Sequence, residues 1–273
     1  MEASSPSVPP RKRLRRIGFL VGWVLALWAM IAYLALPAIW KRAQRQQLVE
    51  GHDLVTRTSL GIAGDPINFG LVGDQAELLC AFRAAGWTLA DSITLRTSMK
   101  IVGSVALHRP DPAAPVSPLL FDGRAEDIAF ERPVGISAAR RHHIRLWRVA
   151  GASYDDRPLW LGSASFDRGV ELSRYTLQVT HRIGPDLDAE RDFVGQSLGD
   201  AGAIRSFFQI EGIGPTLHGR NGGGDPYFTD GEILIGVLAR DCDLTPGRAV
   251  APPRNPPQID IRSAIIHALG EKH

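Results

Sequence analysis

The sequence predicts an α+β domain, built on a mainly antiparallel mixed sheet with a few helices and preceded by one N-terminal transmembrane helix. Three observations carry that prediction. Residues 17–40 are continuously apolar or nearly so and hold no charged side chain. Asp74 and Glu77 stand three apart ahead of an apolar run, the pattern of a capped helix. Beyond residue 118, runs of strand type follow one another without regularly alternating helices, which favours α+β over a doubly wound parallel sheet.

Residues 1–16 form a basic tail and residues 17–40 the membrane anchor. At about 1.5 Å per residue the apolar run reaches across a hydrocarbon core of about 30 Å. A cleaved signal peptide would need a shorter apolar region and a small-x-small cleavage site, and Leu36-Pro37-Ala38-Ile39-Trp40-Lys41 offers neither. Arg11, Lys12, Arg13, Arg15 and Arg16 precede the run, whereas only Lys41, Arg42 and Arg45 follow it closely. That bias favours a cytoplasmic N-terminus and an exported domain.

Residues 41–49 read as a juxtamembrane linker and residues 50–244 as the folded domain. Gly64-Asp65-Pro66 turns into a strand at 67–72, and the helix capped by Asp74 ends at Gly86. A short strand follows at 87–89, then a helix at 92–107 and a Pro-rich connector at 110–118. Strands are expected at 119–121, 128–131, 142–149, 159–166 and 177–183, a helix at 189–198, and strands at 207–211 and 232–238. Five prolines mark 245–257 as a linker, and 258–273 form a short amphipathic helix or tail.

Composition narrows the functional classes. A chain that is 44% hydrophobic and 22% charged suits one domain of about 200 residues with appendages. The formal charge of +2 conceals an asymmetry: residues 1–45 hold eight Arg or Lys and one acid, which leaves residues 46–273 at a net minus five. A mildly acidic domain argues against nucleic acid as a partner and leaves the membrane as the partner the sequence names. Cys80 and Cys242 are spaced too widely for a zinc knuckle with histidines. Two buried thiols are expected, with a single disulfide only in an oxidising compartment. The sequence specifies neither cofactor nor metal.

The stretch Arg141-His142-His143-Ile144-Arg145-Leu146-Trp147 holds the candidate chemistry. On a strand, Arg141, His143, Arg145 and Trp147 share one face, while His142 shares the other with Ile144 and Leu146 and is assigned to the core. A covered cationic face needs acidic side chains or an anionic ligand. Its expected partners are Asp186, Asp188 or Asp192 in the acidic turn after His181, where a helix begins and one carboxylate can cap it. The functional alternative is a metal or acid/base site. His143, His181, Asp167 and Asp188 would be its catalytic groups, and Arg141, Arg145 and Arg124 its anion-binding groups. A His-Glu-x-x-His pattern is absent, and Gly162-Ser163-Ala164-Ser165 falls short of a nucleophile elbow.

Several segments together resemble the LssY C-terminal domain family. They are Gly64-Asp65-Pro66, Ala84-Ala85-Gly86-Trp87, Pro115-Val116-Ser117-Pro118-Leu119, Gly123-Arg124 with Asp127, the His-rich strand, Leu159-Trp160-Leu161-Gly162 with Asp167, and Thr180-His181-Arg182-Ile183 with Asp188, Glu190, Arg191 and Asp192. The likeness runs in order through residues 50–242, departing at Asp122 and Ala125-Glu126. It implies a bacterial, membrane-associated protein with an envelope or lipid-linked role. Taken with the charge bias across the span, the expectation is an inner-membrane protein with a periplasmic domain, acting in envelope or export processes beside an envelope or secretion protein partner. The chain lacks the Ser-Gly-His and Arg-His-Asp motifs of the lipid-phosphate phosphatases that often accompany this domain. The resemblance therefore implies no activity for the domain itself.

Overall fold

The computed structural model describes residues 10–90, 119–135, 140–172, 179–244, 250–252 and 257–270. The expected helix at 92–107 and connector at 110–118 lie outside them. Two compact units divide the chain, Met1–Gln47 and Leu48–His273.

The first unit is helical: α1 (Pro10–Met30), a π turn (Ile31–Ala35) and α2 (Leu36–Gln46). Leu14–Val49 is the one helix, among the described residues, long and apolar enough to cross a membrane. Phe19, Trp23, Trp28, Tyr33 and Trp40 are all exposed along it. Its apolar surface thus runs all the way round, as a span in lipid requires. Pro37 has no N–H to close a helical bond, and the chain widens just ahead of it, where the Leu36 N–H bonds the Ile31 carbonyl.

In the second unit the elements are β1 (Val55–Arg57), β2 (Ala63–Pro66), β3 (Phe69–Val72), α3 (Gln75–Ala84), β4 (Thr88–Leu89), β5 (Leu120–Phe121), β6 (Arg124–Ala125) and β7 (Ile128–Pro133). Then come β8 (Arg141–Tyr154), β9 (Arg157–Leu172), β10 (Val179–Ile183), α4 (Leu187–Asp200), β11 (Ile204–Glu211), β12 (Thr216–Arg220), β13 (Pro226–Thr229), β14 (Glu232–Leu238) and α5 (Pro257–Gly270). The main sheet has the order β11-β14-β3-β9-β8-β7-β4, with β10 also on β9. Only β14 and β3 run parallel, so the α+β architecture with a mainly antiparallel sheet holds.

Strand alternation gives this sheet two apolar faces. Phe69, Leu71, Ile144 and Leu146 pack with Leu78 and Phe82 of α3 and Val194 and Leu198 of α4. Trp147, Val149, Leu159 and Leu161 pack on the other side with Leu119, Phe121 and Ile235. The small sheet β2-β1-β5-β6 lies on that second side, since Phe121 of β5 contacts Trp147 at 5.7 Å between ring centres. β8 and β9 extend beyond their expected limits because Asp155 and Asp156, at φ 50° and 58°, form the tight turn that joins them. A hairpin absent from the expected elements, β12–β13, is closed by Asn221, whose Oδ1 accepts from Gly223 N and Asp225 N.

α3 opens on a complete capping box: Asp74 Oδ1 accepts from Glu77 N and Glu77 Oε2 from Asp74 N, both at 2.9 Å. Glu77 also pairs with Arg157 at the start of β9 and accepts from Asp241 N at 3.2 Å. The turn after β14 therefore returns to α3, and Cys242 meets Cys80 in a disulfide with Cα atoms 6.0 Å apart. The expectation of two buried thiols is corrected: Cys80 is half-buried, Cys242 exposed, and the two are joined.

Candidate functional site: a buried ionic cluster and a half-exposed histidine

Alternation along β8 sends Arg141, His143 and Arg145 to one face, and that face is covered. They are 1%, 2% and 5% exposed. Their register partners supply much of the compensation. On β9, Asp167 stands opposite Arg141, Ser165 opposite His143 and Ser163 opposite Arg145; on β7, Glu131 stands opposite His143. Arg141 Nε donates to Asp167 at 2.9 Å and Nη1 to Glu131 at 2.6 Å. Arg145 lies 3.7 Å from Asp65, which arrives from β2.

The histidines complete the cluster. Arg145 Nη1 lies 2.9 Å from His143 Nε2; a guanidinium only donates, so Nε2 accepts and the ring proton sits on Nδ1. That nitrogen is 3.2 Å from Asp167 but without hydrogen-bond alignment. His181 on β10 brings Nδ1 to 4.0 Å from Asp167, and Arg141 Nη2 donates to its Nε2 at 3.5 Å. Burial favours the neutral Asp167, but His143, His181 and Arg141 outweigh it and hold that carboxyl well below the usual carboxylate range. Burial and the neighbouring cations lower His181 to about 4, against the pull of Asp167.

Three of the four expected catalytic residues, His143, His181 and Asp167, thus meet around Arg141 and Arg145. Asp188 does not join them. Its carboxylate accepts from Thr229 Oγ1 at 2.6 Å and Asp230 N at 2.7 Å, with Arg191 at 3.3 Å. The acidic turn is consequently not the counterion of the cationic strand, contrary to expectation. Asp186 caps α4 through Ala189 N, while Asp188 and Asp192 are both engaged by Arg191 of their own helix, whose guanidinium they hold protonated. Arg124 is also elsewhere: exposed, it pairs with Asp127 at 2.7 Å. Asp65, Glu131 and Ser165 are the cluster members that spacing missed. The even spacing of Ser163, Ser165 and Asp167 was the available signal, since period two puts them on one strand face.

On the opposite face His142 is not fully buried core. Its Nδ1 lies 2.7 Å from Glu190 of α4, its ring stacks on Phe193 at 3.8 Å, and 17% of its side chain is exposed. A third group involves α5: His267 brings Nδ1 to 3.1 Å from Asp186 and Nε2 to 3.6 Å from Asp188. The ligand atoms of Asp186, Asp188 and His267 lie within 4.8 Å of one another, near enough to share a metal ion. Yet both ring nitrogens face carboxylates, the arrangement of a doubly donating imidazolium, whereas a metal-bound imidazole offers one nitrogen to the ion. Consistent with that, the Asp188 hydrogen bond raises the His267 proton affinity against the effect of burial.

No curated protein and no solved structure matches this chain. A family profile described as the LssY C-terminus does, over residues 43–233, which takes in the buried cluster, the acidic turn and every strand up to the start of β14. By that match the chain belongs to the LssY C-terminus family.

Proposed function

We propose that the protein is a single-pass anchored component of the bacterial envelope, with its N-terminus in the cytoplasm and its domain in the periplasm. There it serves as a binding or accessory module in envelope, lipid-linked or export processes, beside an envelope or secretion protein. The observation that carries this reading is the pairing of Arg141 with both Glu131 and Asp167, each no more than 1% exposed. Groups turned inward and paired with one another serve the stability of a scaffold rather than a substrate. The Cys80–Cys242 disulfide fits an oxidising compartment, and the excess of cations ahead of the span fits the same orientation.

A hydrolase of a phosphate-bearing or lipid-derived substrate is the second reading, and the Asp186, Asp188 and His267 group is the observation in its favour. A turnover screen of the purified full chain against phosphoesters, with and without added divalent metals, separates the two. No turnover is expected; hydrolysis that disappears in Asp188→Asn would establish the enzyme. Topology is tested by a reporter active only in the cytoplasm, fused after His273, which should stay silent.

A further inference from the structure

The face of β8 that the ionic cluster leaves free carries a second polar group. Arg132, His142 and Phe166 are register partners across β7, β8 and β9, so their side chains rise from one row of the sheet. His142 packs against Phe166 at 4.8 Å and Phe193 at 3.8 Å between ring centres. Each of those rings also carries an arginine: the Arg132 guanidinium lies 5.6 Å from the Phe193 ring and that of Arg140 5.9 Å from the Phe166 ring. Two guanidiniums are therefore held on the aromatic rings that contact one imidazole.

These cations are uncommitted. Arg57, Arg124, Arg141, Arg157 and Arg191 each pair with a carboxylate. Among the described residues neither Arg132 nor Arg140 does; Arg140 is exposed and Arg132 half-buried. Glu190, 4% exposed, fixes the His142 ring through Nδ1, and its second oxygen is buried without a hydrogen-bond partner. The His142 Nε2 is neither buried nor hydrogen-bonded among the described residues, so it meets solvent between the two arginines' platforms. A carboxylate that orients an imidazole leaves the far nitrogen aimed at a ligand.

We propose that Arg132, Arg140 and His142 form a binding site for a phosphate monoester, with Glu190 as the positioning residue. Two planar guanidiniums that donate in pairs suit a dianion with three acceptor oxygens better than a carboxylate, which offers two, and His142, whose Nδ1 faces Glu190, adds a further donor at Nε2 in its imidazolium form. Phe166 and Phe193, both half-buried beside the His142 ring, give the organic part of such a ligand an apolar bed. The inference adds a ligand class to the binding-module reading, and it fails separately from that reading because neither turnover nor topology depends on it.

Isothermal titration of the full chain in detergent with inorganic phosphate and with glycerol 3-phosphate tests the site. Saturable binding is expected for both. Arg132→Gln and Arg140→Gln should each weaken it roughly tenfold or more, the effect of losing one charge-assisted hydrogen bond. Retention of near-ultraviolet circular dichroism and of the Cys80–Cys242 bridge shows that each variant has folded. Short-chain phosphatidic acid below its micelle concentration distinguishes the sources: tighter binding than glycerol 3-phosphate assigns a lipid headgroup, equal binding a free monoester. Absence of saturable binding to the folded protein, or unchanged affinity in the double arginine variant, overturns the proposal.

Discussion

Arg141 and Asp167 stand opposite each other on β8 and β9, and the guanidinium Nε donates to the carboxylate at 2.9 Å with both side chains 1% exposed. Glu131 closes the other side of the same guanidinium at 2.6 Å. One cation thus bridges the two strands that flank β8 in the sheet, on the face that Asp65 of β2 also reaches. Interior ion pairs of this kind hold geometry firmly but tolerate loss of one member poorly.

Arg141→Met should accordingly cost about 3–5 kcal/mol, because Glu131 and Asp167 are then left buried with their shared cation removed. Chemical unfolding followed by near-ultraviolet circular dichroism measures it. A loss below about 1 kcal/mol would mean that water or a rearranged cation reaches these carboxylates, against the burial described.

The disulfide spans 162 residues of sequence and ties α3 to the turn after β14. Cross-linking so long a loop restricts the unfolded chain strongly, and Cys80→Ser should lower stability by about 2–5 kcal/mol. Non-reducing peptide mapping of protein taken from its native membrane provides the direct check. Two alkylatable thiols there would place the domain in a reducing compartment and count against the exported topology.

Acid should loosen the buried cluster. His181 falls from 6.5 to about 4 on folding. Between those values the unfolded chain binds more protons than the native one, so stability rises with pH and is lost as pH drops through the window. At about 1.4 kcal/mol per unit the loss from pH 6.5 to 4 is about 3 kcal/mol. Asp167, also held low, acts in the same direction below pH 3.8. His181→Phe should flatten the stability curve between pH 4 and 6.5; an unchanged slope would assign the acid sensitivity to other groups.

How much of this was legible in the sequence depended on the range of the interaction. The Asp74–Glu77 box is local, and residue type with spacing located it; for α4 they gave a capping carboxylate in the acidic turn, which the structure assigns to Asp186. Period-two alternation separated His142 from His143 correctly. It could not say what covered the His143 face, because Asp65 and Glu131 arrive from other strands of the domain. The sequence proposed the nearest acidic turn as counterion, yet Arg191, one helical turn from Asp188, had already taken that charge. Local pattern leaves Cys242 unpaired for the same reason: its approach to Cys80 follows from the β14 turn and Glu77, which no local pattern encodes.

The contact of α5 with the acidic turn should depend on pH in the opposite sense. His267 faces Asp186 and Asp188 at the start of α4, with Asp230 adding negative charge from the loop before β14 and Arg191 held among these acids. The Asp188 hydrogen bond raises the His267 proton affinity above its ordinary 6.5. A group raised on folding contributes fully below its unfolded value and loses that contribution as pH climbs through the folded one. Asp188, held below 3.8, keeps its charge throughout that climb. Amide exchange across residues 257–270 should therefore be slow near pH 6 and faster, after correction for intrinsic rates, as pH rises well above 6.5. His267→Gln should abolish the step while leaving exchange in α4 unchanged. A pH-independent opening of α5, or a step that survives the substitution, would show that the helix is held by Ile266 and its apolar neighbours instead of by the imidazolium.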